Sequence, residues 1–340
     1  METVLILFFG FLFGLILRYA SLNRYDVISG MATLEDLSVA KAIALAIGVG
    51  VILINFAILA GLASYHIKPF LVGGVLLGGL IFGSGMAILG YCPGTLAISA
   101  GEGSLDAWWG ILGGLLGGWV YTLSLPSLQT ILGPDLGKIS LSSLVSSDFL
   151  FSFTVVLTGI LFVRLALWLD KKEGKKDSRW IRAGLALGIL DLFVFLKIFA
   201  NRPIGASTTY PYVADVITGT TGNAYFQKIS TPGHWELIFL AGAFLAGLIL
   251  SLVKKEFRLT LVHDRWKKYK GESAIKRSLW AFAGGFILIF GARMAGGCTS
   301  GHILSGGMQL ALSSLVFAVF TFAGLLFTGW VFYGRTNDER

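Results

Sequence analysis

Nine mostly apolar runs, each near the ~20 residues that an α-helix needs to cross a bilayer, divide this 340-residue sequence. They fall at 3–20, 39–64, 70–91, 105–125, 149–169, 181–200, 234–253, 278–297 and 308–333. Runs of this length satisfy their own backbone in lipid only as helices, so the expected fold class is an all-α polytopic membrane protein. Composition excludes the water-soluble alternative: 55% of residues are hydrophobic and 14% charged, and the mean hydropathy is +0.77. An ordinary soluble domain carries roughly a quarter charged residues. Val4 to Leu17 has neither a basic leader nor a small-x-small cleavage site and reads as a retained first helix. The prolines at 69, 93, 126, 134, 203, 211 and 232 are expected at or beyond span ends. Trp168, Trp180, Trp235, Trp280 and Trp330 are expected in an interfacial aromatic belt.

Within this frame one block occurs twice. Gly78 to Gly101, GGLIFGSGMAILGYCPGTLAISAG, returns in degenerate form at Gly284 to Gly307, GGFILIFGARMAGGCTSGHILSGG. Aligned on Cys92 and Cys298, the copies share Gly78/Gly284, Gly79/Gly285, Gly85/Gly291, Gly90/Gly296, Ser99/Ser305 and Gly101/Gly307. Each copy is a helix-length run that breaks at a small-residue turn carrying one of the chain's two cysteines, then resumes. Broken helices at matching places in two halves point to a transporter's binding site. Asn23-Arg24 and Asn201-Arg202 extend the match, each followed by a hydroxyl-rich turn. The expectation is a single transmembrane domain over 1–340, with a first repeat at 1–125, a connecting helix at 149–169 and a second repeat, inverted across the membrane, at 181–333. The Asn-Arg pairs are 178 residues apart and the cysteines 206, so the second half carries 28 more, expected within Thr208 to Gly233.

Fifteen of the 27 Lys and Arg residues fall in Lys171 to Arg182 and Lys254 to Arg277. Positive-inside charge accounts for both stretches better than a nucleic-acid partner does. Both are then cytoplasmic, which places the N-terminus outside and the C-terminus, with Arg335 and Arg340, inside. Two Cys and four His without CxxC or HxxxH spacing argue against a metal site, and nothing calls for a cofactor.

Three segments in order, GYCPGT with GEG (Gly90 to Thr95, Gly101 to Gly103), RPIGAST (Arg202 to Thr208) and GARMAGGCTSGHILSG (Gly291 to Gly306), carry a resemblance to the YeeE/YedE family of sulfur-transport membrane proteins. The resemblance implies uptake of thiosulfate across a bacterial inner membrane. It also implies that the motif cysteines line the path and relay the anion, and that a small soluble cytoplasmic sulfur-carrier protein is the partner. One difference stands out: the resemblance implies a third cysteine in the turn after the first helix, and here that turn reads LNRYD (22–26).

The residues themselves suit an anion. In Cys92-Pro93-Gly94-Thr95, proline fits a first helical position, glycine admits a ligand to the backbone, and the following N–H groups point back towards the cysteine. Cys298-Thr299-Ser300-Gly301 is the counterpart, with two hydroxyls added. A thiol is a weak donor and a polarisable surface for a soft anion. Arg293, one turn before Cys298, is expected to attract the anion. Asp191 either binds a coupling proton or pairs with an arginine such as Arg293, and the pair is the expectation. Asn23, Arg24, Asn201, Arg202, Glu102, Asp191 and His302 are vestibule or gate candidates. Glu102 is expected to compensate a helix dipole, and His302 either satisfies a carbonyl or handles protons. The resulting reading is a non-enzymatic importer or channel for a small sulfur anion in lipid. The alternatives are another sulfur or selenium compound as cargo, or a membrane sulfurtransferase or thiol oxidoreductase using the cysteines covalently.

Overall fold

The structure, a computed structural model, describes residues 2–145 and 147–334. Arg335 and Arg340 lie outside the described residues. The elements are α1 (Glu2–Tyr19), α2 (Tyr25–Met31), α3 (Ser38–Leu59), α4 (Val72–Leu89), α5 (Pro93–Gly101), α6 (Leu105–Leu132), α7 (Leu141–Leu144), α8 (Asp148–Glu173), α9 (Arg179–Phe195), α10 (Thr209–Thr218), α11 (Ala224–Val253), α12 (Asp264–Lys270), α13 (Ala274–Met294), a π-helix (Thr299–Leu304), α14 (Ser305–Met308) and α15 (Leu312–Tyr333). The protein is an all-α polytopic membrane protein. Among the described residues, eight segments are long and apolar enough to cross a bilayer, with α4–α5 counting as one and α13–α14 as another. The ninth expected span, 181–200, is helical only as far as Phe195, the end of the 17-residue α9. At 1.5 Å per residue that is ~26 Å, and the chain continues past it as turns.

At the centre α4 crosses α13, and the duplicated glycines are the reason they come so close. A Cβ on Gly78 would lie 2.7 Å from the Gly291 carbonyl oxygen, and one on Gly284 would lie 2.9 Å from the Leu89 nitrogen. Small residues let two backbones meet, which is what associates helices where lipid removes the hydrophobic drive. Around this pair the contacts are reciprocal: α15 packs on α4 and α6 on α13, while α1 packs on α11 and α3 on α9. Gly113 and Gly117 seat α6 against Phe282 and Phe286 of α13, as close packing requires.

The two basic connections share one end of the bundle. There Lys41 pairs with Asp170 (2.8 Å), Lys175 with Asp36 (2.8 Å), Arg18 with Glu256 (2.9 Å), and Arg265 with Glu35.

Several expectations need correction. Pro126 lies inside α6 and Pro232 inside α11, because both helices run on beyond their apolar runs. Thr208 to Gly233 is largely helical, forming α10 and the start of α11, and the surplus is not confined to it. The 254–273 connection, which contains α12, is also longer than the 60–71 connection between α3 and α4. Trp168 and Trp330 are exposed as a belt requires, but Trp180 and Trp235 are buried. Their faces carry cations instead: Lys41 lies 5.2 Å from the Trp180 ring centre and Arg202 lies 4.1 Å from that of Trp235.

Candidate functional site

Both breaks are made by the same device. Gly90 and Gly296 adopt left-handed backbone (φ +77° each), which ends α4 and turns the chain after α13, and two residues later an extended cysteine caps the next helix. At the first break Pro93 opens α5, and the Cys92 sulfur accepts the Thr95 N–H. In return Thr95 Oγ1 accepts the Cys92 N–H at 2.8 Å and lies 3.4 Å from Sγ. At the second break Cys298 heads a π-helix, a rare geometry that recurs at functional sites, and its sulfur lies 3.3 Å from Ser300 Oγ. Gly94 faces Phe13 and Ala206, and a Cβ there would lie 3.2 Å from the Phe13 ring.

The turns converge. Cys92 and Thr95 from one, and Thr299 and Ser300 from the other, line a single cavity of about 70 Å³ whose remaining wall is Thr321 and apolar side chains such as Phe13, Leu22 and Met86. Cys298 itself is buried beside it. Tyr210 ties the second half to the first, donating to the Pro93 carbonyl at 3.1 Å.

Arg293 is buried and bound only by hydroxyls: Nε donates to Tyr225 (2.8 Å), and Nη1 donates to Ser207 (3.3 Å) and Thr208 (3.1 Å). Arg202-to-Thr208 thus wraps the guanidinium, and it has no carboxylate partner among the described residues. Asp191 is not that partner. Its Oδ1 accepts from Ser305 at 3.0 Å, and its Oδ2 has no well-formed hydrogen bond among the described residues. Arg202 instead lies 3.8 Å from Glu236, which also accepts the Thr208 N–H at 2.6 Å. Asn201 forms the preceding turn with a positive φ.

Sequence reasoning missed Lys68. From the 60–71 connection its ammonium donates to the Gly296 carbonyl at 2.6 Å. A side chain at Gly297 would collide with it, and one at Gly301 would lie 3.1 Å from it. No local pattern marks it, since its target is 228 residues away. Burial pushes the ammonium down to about 8. His302 serves structure: only its Nε2 can donate to the Ala295 carbonyl (2.8 Å), so Nδ1 accepts from Ser314 (3.0 Å).

At the basic end Glu102 lies between the C-terminus of α5 and the N-terminus of α6, three residues before Leu105, and an ion pair and a side-chain hydrogen bond hold it there. The partners are Arg18 at 2.6 Å and Asn23 Nδ2 at 2.6 Å. Asn23 is buried, also donates to Ser99 at 3.1 Å, and accepts the Ser99 hydroxyl on its carbonyl at 2.9 Å. Leu22, next to Asn23, lines the cysteine cavity, while Ser99 and Glu102 line a polar cavity of about 440 Å³ with Arg24, Arg258 and His263. A second missed cluster braces the first break: Arg277 and Asp106, both fully buried, pair at 2.5 Å, and Arg277 also donates to the Leu89 carbonyl at the end of α4 (2.7 Å).

The sequence model of the family described as "Sulphur transport" matches residues 25–327. Among curated proteins, a thiosulfate transporter of Spirochaeta thermophila is 24% identical over 345 residues, covering 96% of this chain and 98% of its own length. A thiosulfate transporter of Escherichia coli is 22% identical, covering 88% of this chain and 85% of its own.

Proposed function

Because the chain belongs to the sulphur transport family, we propose that it imports a small sulfur anion, thiosulfate first among candidates, across a bacterial inner membrane. The relatives' transport of thiosulfate motivates the substrate. The observation that carries the path is that both cysteine turns face one cavity.

An anion entering that cavity loses water, at an idealised cost on the order of 20 kcal/mol per charge. Arg293 and Lys68 meet it first. Both are cations held by neutral oxygens, so an arriving anion need not displace a carboxylate. The Cys298, Thr299 and Ser300 groups then hand it to Cys92 and Thr95, each contact weak enough to release. Asn23, Ser99 and Glu102 form the inner gate. Arg24 and Arg258 receive the anion in the polar cavity, and a soluble sulfur-carrier protein collects it there.

In this reading 1–125 and 181–333 are inverted repeats joined by the helix at 149–169, and α9 crosses the membrane as a ninth span. The reciprocal helix contacts support the first point. The bond from the Lys197 N–H to the Leu62 carbonyl supports the second: it ties the chain after α9 to the end of α3 remote from the basic connections. The N-terminus is then outside and the C-terminus cytoplasmic.

The test is growth on thiosulfate as sole sulfur source in a bacterium stripped of its own uptake systems. Wild type should rescue growth, while Cys92→Ala and Cys298→Ala at equal membrane expression should not. Rescue by both variants would remove the cysteines from the path, and no rescue by folded wild type would remove thiosulfate.

A further inference from the structure

Asp191 lies within α9 with no solvent exposure; the Ile204 N–H approaches its carboxylate, and Oδ2 accepts no well-formed hydrogen bond among the described residues. Oδ1 accepts the Ser305 hydroxyl, and Ser305 Oγ also accepts the Ile204 N–H at 3.2 Å. Ser305 is the first residue after the π-helix that Cys298 caps, and Ile204 belongs to the turn that wraps Arg293. The carboxyl group therefore touches, through one hydroxyl, both segments that shape the anion site.

The charged groups around it are engaged elsewhere. On α1, Arg18 pairs with Glu102 and Glu256, and on α3, Lys41 pairs with Asp170 and Glu173. On the π-helix, His302 is satisfied by Ala295 and Ser314. Arg202 faces Glu236, and Lys68 is bound at Gly296. Towards the end away from the basic connections, His66 packs its ring 5.8 Å from that of Phe195, one turn beyond Asp191, and its Nε2 has no partner. A carboxylate kept from water and from every cation is an unfavourable ion, and a bound proton removes the charge without new contacts.

We infer that Asp191 is a proton-binding site of the transport cycle, taking a proton on Oδ2 from the outer side and giving it up to the inner side as the anion passes. This rests on the import reading. A proton carried with a doubly charged anion lowers the net charge moved. Loss of the proton lets the carboxylate pull on Ser305, and through it on the π-helix.

Purified full-length protein in lipid vesicles tests this in two ways. Without substrate, infrared spectra at neutral pH should show the carbonyl stretch of a protonated carboxylic acid that disappears as pH is raised and is missing from Asp191→Asn. With thiosulfate, an outward-acid pH gradient should raise accumulation by up to about tenfold per pH unit for one proton per anion. Asp191→Asn should lose that dependence while still exchanging thiosulfate at equal concentrations, which also shows that the variant is folded. Absence of the band, or unchanged gradient dependence in Asp191→Asn, overturns the inference. If wild type exchanges no thiosulfate, the substrate reading fails, and the infrared titration decides the proton site alone.

Discussion

Replacing Lys68 with methionine removes the ammonium from the Cys298 turn while keeping most of the side-chain stem. At an effective dielectric near 20, a unit charge pair ~4 Å apart is worth about 4 kcal/mol. The half-buried position and the partial hydration of the ammonium reduce this to the ~1.5–3 kcal/mol of a hydrogen bond to a charged group. At 1.4 kcal/mol per tenfold, the Michaelis constant for thiosulfate uptake should rise by about 10- to 100-fold, with a smaller change in maximal rate. The sign with pH follows from burial: the ammonium, pushed down to about 8, is charged below that pH and neutral above it. Wild-type affinity should therefore weaken as the pH on that side rises through 8. Lys68→Arg, whose guanidinium stays charged, should hold its affinity there. Labelled uptake into vesicles across a pH series measures both effects. A Michaelis constant for Lys68→Met within twofold of wild type, or the same pH profile in Lys68→Arg, would refute the reasoning.

Two further outcomes concern the frame that holds the site. Asp106→Asn leaves Arg277 buried beside an uncharged amide, and breaking a buried pair from one side costs about 3–5 kcal/mol, so thermal unfolding in detergent should shift clearly downward; an unchanged midpoint would contradict the pairing. Gly78→Ala places a Cβ 2.7 Å from backbone atoms of α13, and overpacking of this kind costs about 1–3 kcal/mol. Its unfolding midpoint should fall, whereas alanine at Gly222, which has open space around it, should leave the midpoint unmoved.

The sequence by itself determined the helices and the two breaks. Apolar length forces helices in lipid, and a glycine two residues before each cysteine supplies the left-handed turn that ends a helix, whatever its neighbours. The duplicated glycines marked the repeat, but that they seat α4 against α13 became visible only in the tertiary structure, because a missing Cβ matters only where another backbone arrives. Partners were decided by the tertiary structure. Arg293 and Asp191 looked complementary along the chain, yet the folding of Arg202 to Thr208 gave the arginine three hydroxyls and left the aspartate with Ser305. Trp180 and Trp235 had the spacing of membrane anchors but met cations in the interior. Lys68 and Asp106 had no local signature at all. A backbone conformation is set by residues within a turn or two, whereas the partner of a charge is set by whichever distant segment packs against it.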